Sequence, residues 1–252
     1  MSPMIIDVIP TLKELTPQKV YGKTAIVLDI FRCTSSIVTA LANGCKEVIP
    51  VSSPGEAYII GAKYSRNSYL LAGETNGVKI PDFDLGNSPP EFKGNQVRGK
   101  KIILATTNGT SAIKLSKPAK HVLIGSFLNI NAVCSYALTN HKDVIIICAG
   151  NGGSIALEDV MAAGGYVTVL RKYCQDIRFG ELARTFYYLF NYFQDSLDHI
   201  LSTSRSGINL QKLGYGQDLE FCLQKNKYNI VPILKQNSIK LTSNSILYQK
   251  LY

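Results

Sequence analysis

TAIVLDIFRCTSSIVTALANG, residues 24–44, holds one complete unit of an α/β fold. An apolar run ends in Asp29, and a short polar turn with Arg32, Thr34, Ser35 and Ser36 follows. Ser35–Asn43 then takes helical periodicity, and Gly44 closes it as a C-cap. The apolar run is strand-length and flanked by turn residues, so it reads as a buried strand. Two further stretches repeat the pattern: KIILA (101–105) runs into TTNGT (106–110), and DVIIIC (143–148) runs into AGNGGSIALED (149–159). Met4–Val8, Glu47–Val51, Tyr69–Ala72 and His121–Ile124 add strands. Ser53 opens a helix as N-cap before Pro54, and other helices start near Ser111 and Asn129. This alternation predicts an α/β fold, a mostly parallel or mixed sheet flanked by helices. Ligands of such sheets sit at the carboxyl ends of the strands, where these polar clusters fall.

Beyond the alternating part, Gly77–Gly94 holds three prolines and reads as an irregular loop, too apolar and acid-dotted for a linker. After Glu158 the chain turns helical. Leu182, Phe186, Leu189, Phe190, Phe193 and Leu197 form a core-facing stripe. Ile230–Leu234 is a late strand or an arm, and the Lys/Asn/Ser-rich end is expected to be peripheral.

Composition narrows the classes. The chain has 252 residues, 46% hydrophobic and 18% charged, enough for one large domain or two small ones. No apolar run approaches the roughly 20 residues of a bilayer span, and the first residues lack the pattern of a signal peptide. A cytoplasmic protein without a membrane partner is expected. Lysine and arginine number 27 against 18 acids. That excess is dispersed, and its densest spots, Arg98–Lys101 and Lys114–Lys120, have no interleaved aromatics. It therefore favours small anionic substrates over nucleic acid. Six cysteines without CxxC pairing read as reduced thiols, not as a zinc site.

The polar clusters carry the chemistry. Asp29 at a strand end suits a metal ligand or a nucleophile, and Arg32 suits a two-pronged clamp on phosphate. Thr34 and Ser35 add hydroxyls and free N–H groups where a helix begins. The same segment also reads as a capping pair with serine N-caps. In TTNGT the Asn108-Gly109 turn aims N–H groups at an anion, with Thr107 and Thr110 beside it; Asn-Gly is equally a common turn dipeptide. Gly150, Gly152 and Gly153 allow close backbone approach to a ligand. Glu158 and Asp159 follow them, pointing about 100° apart on a helix, so that only one need face the site. In the middle loop Asp82, Asp84, Asn87 and Ser88, with Glu74 nearby, are hard oxygen donors suited to magnesium; a solvated acidic loop is the alternative.

Elimination sharpens this. Phe31 stands where a haloacid-dehalogenase-type phosphatase needs its second aspartate, and Ser154 where a cysteine phosphatase built on Cys148 needs arginine. There is no GxxxxGK[ST] loop, and GNGGSI lacks the third glycine of GxGxxG. His121, His141 and His199 lie outside the polar clusters. Metal-assisted hydrolysis by carboxylates and hydroxyls remains.

Together, VLDIFRCTSSIVTALANG (27–44), AGETNG (72–77) with IPDFDLGNSP (80–89), TTNGTSAI (106–113), CAGNGGSIALEDVMAAG (148–164) and GINLQKLGYGQDLEFC (207–222) resemble the 2-phosphosulfolactate phosphatase family, magnesium-dependent acid phosphatases of the coenzyme M route. The likeness runs from about residue 4 to about residue 234. It implies an α/β fold of two related halves, drawn here as residues 1–115 and 116–252 or as one compact unit. It also implies a bound magnesium ion and removal of phosphate from a 2-phospho-3-sulfo acid. Carried onto this chain, it makes Asp29, Glu74 and Asp84 metal ligands. Arg32, Thr107, Asn108 and Gly109 become holders of phosphate or sulfonate, and Glu158 and Asp159 activators of water. Thr75 and Asn76 depart from the family, which usually has arginine and often glycine there. The expected partner is a small phosphorylated acid, and assembly as a homo-oligomer stays open. The rival reading is a non-catalytic binding protein for a phosphorylated metabolite.

Overall fold

The computed structural model describes residues 3–140 and 142–242, so His141 and the last ten residues lie outside it. β1 (Met4–Ile9) leads through the one-turn α1 (Pro17–Val20) to β2 (Thr24–Leu28), and α2 (Cys33–Ala42) connects to β3 (Glu47–Val51). α3 (Pro54–Gly61) precedes β4 (Tyr69–Thr75), the short β5 (Val78–Lys79), the one-turn α4 (Gly94–Val97) and β6 (Lys101–Ala105). α5 (Gly109–Leu115), β7 (His121–Gly125), α6 (Ile130–Thr139), β8 (Val144–Cys148) and α7 (Leu157–Tyr173) continue the alternation. β9 (Ile177–Phe179), α8 (Glu181–Phe193), α9 (Leu197–Ser202), α10 (Arg205–Lys212) and α11 (Gly216–Leu223) follow, and the hairpin β10 (Pro232–Lys235) and β11 (Ser238–Leu241) comes last.

All eleven strands join one mixed, mostly parallel sheet in the order β5-β4-β6-β3-β11-β10-β7-β2-β8-β1-β9. The α/β class expected from the alternation is the one observed. β4, β6 and β3 form one parallel block; β7, β2, β8, β1 and β9 form another. Between them the hairpin pairs antiparallel on both sides, Ile239 opposite Val48 and Ile233 opposite Leu123. Three successive reversals make the two blocks run in opposite senses along the ladder. Both nevertheless feed one apolar cluster: Val48 and Ile102 meet Val27 and Ile147 there, with Ile37 and Leu41 of α2 and Ile113 of α5.

The hairpin corrects the expectation of a peripheral Lys/Asn/Ser-rich end. Its composition is polar, but Ile233 and Ile239 are buried, while Gln236 turns the chain at φ +56°. A few buried apolar side chains decide the position of such a segment, and average polarity hides them. The part of that end beyond Thr242 lies outside the described residues. On the other face, Phe186, Phe190 and Leu197 of the predicted stripe are buried, Leu182, Leu189 and Phe193 are partly buried against the same cluster, and Ala183 joins them. Among the described residues no helix is long and apolar enough to cross a membrane.

Register sets the strand ends. β2 is buried throughout and lies between β7 and β8, with Leu28 level with Gly125 and Cys148. Asp29 therefore emerges inside its block, between the ends of β7 and β8. Gly73 stands level with Ala105, so Glu74 and Thr107 leave adjacent strands side by side. A side chain at Gly73 would collide with the Ala105 carbonyl, and its φ of +153° also calls for glycine.

Candidate active site

The turn after β2 is built from its own hydroxyls. Thr34 Oγ1 donates to the Asp29 carbonyl at 2.9 Å, and Ser35 Oγ to the Ile30 carbonyl at 3.0 Å. Both side chains are buried in this folding role and stand off the cavity wall. Asp159, in the first turn of α7, accepts from Ile30 N at 2.9 Å and from Gly150 N at 3.0 Å, one bond to each oxygen. It thus staples the end of β2 to the glycine turn after β8. Gly150 holds that turn at φ +67°.

A cavity of about 520 Å³ opens over these strand ends. The expected residues Asp29, Arg32, Glu74 and Asn87 line it, as do Thr107, Asn108, Gly150, Glu158 and Asp159. Gly109 sits just behind: a Cβ there would come within 2.5 Å of Asp29 Oδ2. Thr110 is turned inward, its hydroxyl donating to the Thr106 carbonyl at 3.0 Å. Gly152 is exposed and off the wall. Asp84 is not part of the cavity wall either: Arg66 holds its Oδ1 and Leu71 N its Oδ2. His121 and His199 do not line the cavity.

Arg32 is the pivot of the wall. It is only 3% exposed. Its Nη1 donates to Asp218 Oδ2 at 2.7 Å and its Nη2 to the Gly77 carbonyl at 2.7 Å, while the Tyr215 ring stacks at 4.2 Å. Ser88 Oγ donates to the other Asp218 oxygen at 2.6 Å. Gly77 N in turn donates to Glu74 at 2.7 Å, and Glu74 also accepts from Thr107 N at 2.8 Å. A guanidinium has five N–H donors, so this network fixes the plane of Arg32 and still leaves donors for a ligand.

The electrostatics are those of crowded carboxylates. Burial first, then the charge of Glu74, push Asp29 up to about 7; a hydrogen bond from Cys33 N and the charge of Arg32 work the other way. Burial likewise raises Glu158, partly offset by the Ser206 hydroxyl, and raises Asp159 well above the usual carboxylate range, with Asp29 and Glu158 adding to it. Each of these shifts reflects negative charge gathered where water is scarce. Glu158 Oε2 and Asn87 Oδ1 are moreover buried without a hydrogen-bond partner. Unpartnered buried acceptors in a carboxylate-lined cavity fit a cation. Among the described residues no three His, Cys, Asp or Glu side chains form a cage of their own. Magnesium needs no such cage, since it takes one or two carboxylates and fills its shell with water and phosphate oxygens.

Several residues in the wall or behind it are brought to the site by the tertiary fold and carry no local motif of their own. Asp218 and Tyr215, which seat Arg32, lie far from it along the chain. Arg205, Ser206, Asn209 and Lys212 come from α10. Asn209 and Lys212 fall within the family-like stretch 207–222 and Arg205 and Ser206 just before it, yet only the tertiary fold turns α10 toward the strand ends.

The profile of 2-phosphosulpholactate phosphatase matches residues 10–237. A probable 2-phosphosulfolactate phosphatase of Caldanaerobacter subterraneus is 38% identical, the match covering 96% of this chain and 100% of that protein. One from Clostridium tetani is 36% identical, over 94% of this chain and all of its own length. One from Clostridium beijerinckii is 34% identical, over 94% and 99%. With the family profile and full-length relatives agreeing over nearly the whole sequence, the chain belongs to the 2-phosphosulfolactate phosphatase family.

Proposed function

We propose that the chain is a magnesium-dependent phosphomonoesterase that converts 2-phosphosulfolactate, or a similar small 2-phospho carboxylic acid, to the 2-hydroxy acid and phosphate. The observation that carries this reading is the joint placement of Asp29, Glu158 and a fixed Arg32 in one cavity, with a Glu158 oxygen left unpartnered. Relatives along the full length bear the matching name. Asp29 and Glu158, helped by Asn87, would hold the magnesium ion. When bound, the ion supplies a Lewis acid that offsets charge on the phosphoryl oxygens.

The chain's own groups do the rest. Arg32, held flat by Asp218 and Tyr215, turns its remaining N–H groups to a phosphate oxygen and absorbs charge that grows in the transition state. Thr107 and Asn108 face the same space from the end of β6 and fix the ester's orientation. Glu158, besides helping to hold the ion, would take the proton of an attacking water. The alternative is attack by the Asp29 carboxylate on phosphorus, which displaces the 2-hydroxy acid and leaves an aspartyl phosphate for water to hydrolyse; borohydride reduction of enzyme quenched during turnover, which converts an aspartyl phosphate to homoserine at position 29, separates the two routes. Asp159, with both oxygens already committed to backbone N–H groups, acts as the clamp that keeps the strand ends together.

The deciding experiment is phosphate release from 2-phosphosulfolactate and from 2-phospholactate, with magnesium and with chelator. Release that requires magnesium supports the reading. Release indifferent to chelator removes the metal from it. Absence of release from either ester, with retained binding, leaves the non-catalytic binding protein.

A further inference from the structure

The cavity has two unlike sides. Its buried side carries Asp29, Glu158 and Asp159, and its one buried cation, Arg32, is already shared with Asp218. Its open side is α10. Arg205, Ile208, Asn209 and Lys212 all line the cavity, and steps of three, four and seven residues put them on one helical face. The helix spans the opening. At one end Ser206 lies beside Glu158; at the other Asn209 and Leu213 approach Gly77. Arg205 and Lys212 are exposed, and neither side chain has an ion pair or hydrogen bond among the described residues. Arg205 and Lys212 therefore face Asp29, Glu74, Glu158 and Asp159 across a space sized for a small molecule.

An ester with a second acid group cannot place both anions against the carboxylate side. The phosphate is drawn to Arg32, and the second anion is repelled toward the open side, where, among the described residues that line the cavity, α10 offers the positive charge. Building on the phosphomonoesterase reading of this cavity, we infer that Arg205 binds the second acid group of the substrate, a sulfonate or a carboxylate, and that α10 is the element that selects such esters. The guanidinium fork matches two oxygens of either group. Lys212, about 10 Å farther along the axis at 1.5 Å per residue, adds a point charge that draws the dianionic end in.

The test compares kcat/KM for 2-phosphosulfolactate with that for isopropyl phosphate, which has no second acid group, in the wild type, Arg205→Gln and Arg205→Lys. The ratio is expected to fall about tenfold or more in Arg205→Gln, mostly through KM, because a charge-assisted hydrogen bond is lost. Arg205→Lys should restore part of it. An unchanged ratio, or an equal loss for both esters, overturns the inference. 2-Phospholactate names the group: if it behaves as 2-phosphosulfolactate does, Arg205 holds the carboxylate, and if as isopropyl phosphate, the sulfonate; either result upholds the subsite. Should the wild type hydrolyse neither ester, the phosphomonoesterase reading fails and calorimetric titration with 2-phosphosulfolactate decides the inference alone. Tenfold weaker binding to Arg205→Gln then upholds it; equal binding, or none by the wild type, overturns it.

Discussion

At the scale of single residues the site pays for its chemistry in stability, and Asp29 shows how. Its ordinary value is 3.8 and its folded value about 7. Below about pH 4 the carboxyl is protonated in both the folded and the unfolded chain. Between pH 4 and 7 the unfolded chain releases the proton first, and above pH 7 the folded chain carries the full cost of a crowded, buried charge. Asp29→Asn is therefore expected to have two opposite effects. In chelator at pH 8 it should stabilise the protein, with an upper bound of about 4 kcal/mol at 1.36 kcal/mol per pH unit, and this gain should vanish at pH 4. Phosphate release should meanwhile drop at least about a hundredfold, since no neutral amide replaces a carboxylate as ligand or nucleophile. Urea melts at the two pH values and a phosphate assay test both; near-normal turnover in Asp29→Asn would remove that residue from the mechanism. Arg32 makes the complementary case. Asp218→Asn leaves a buried guanidinium short of its counter-charge, and breaking such a pair typically costs about 3–5 kcal/mol. Inorganic phosphate should then raise the melting temperature of Asp218→Asn more than that of the wild type, because the anion restores the missing charge. Equal shifts would show that Arg32 does not face the anion site.

At the scale of elements, what the site needs is close approach of α5 to the turn after β2, and Gly109 permits it. A Cβ at that position would lie within 2.5 Å of both Asp29 Oδ2 and Cys33 Cβ. Gly109→Ala is expected to lower stability by about 1–3 kcal/mol through overpacking and to cut kcat/KM by about tenfold or more through displacement of Asp29. Gly152→Ala is the control: a Cβ there meets nothing, and its left-handed φ of +57° costs about 1–2 kcal/mol without touching Asp29. Similar kcat/KM in the two variants would refute the idea that α5 positions the carboxylate. Elements of this kind were legible in the sequence. Strands such as TAIVL and KIILA are continuous apolar runs because helices cover both faces, and the turns that follow them are marked by Asp, Asn and Gly. Residues tied to those ends, Asp29, Thr107, Asn108, Gly150, Glu158 and Asp159, could be named for the same reason. Asp84 could not be placed, because the direction of a loop carboxylate depends on its partner, here Arg66, eighteen residues away. Nor could Arg205 and Lys212. A short helix with charges on one face looks solvated in sequence, whether that face meets bulk water or a cavity.

At the scale of the whole molecule the weak point is the join between the two parallel blocks. Among the described residues the β10–β11 hairpin alone connects them along the ladder, with Ile239 level with Val48 and Ile233 level with Leu123. Glu47 at the start of β3 reinforces that join. Its carboxylate pairs with Lys240 of the hairpin at 3.0 Å and with Lys101 of β6. Burial pulls the Glu47 carboxyl upward, but hydrogen bonds from Lys101, Ser238 and Lys240 together outweigh it and hold the group at about 2, against an ordinary 4.5. A depressed carboxyl contributes stability that is complete above pH 4.5 and is lost as the pH falls through 2. Half of Lys240 is exposed, so solvent screening trims this contribution to about 1–2 kcal/mol. Glu47→Gln should thus destabilise the protein by that amount at pH 7, and the difference from the wild type should close between pH 4.5 and 2. This slope is opposite in sign to the one Asp29 imposes between pH 4 and 7, so the two carboxyls together place the stability maximum near pH 4–5 in chelator. Urea titrations of the wild type and Glu47→Gln from pH 8 to pH 2.5 test the account. A destabilisation that persists unchanged at pH 2.5 would mean that Glu47 matters through packing, and that the join between the blocks is held by the apolar pairs alone.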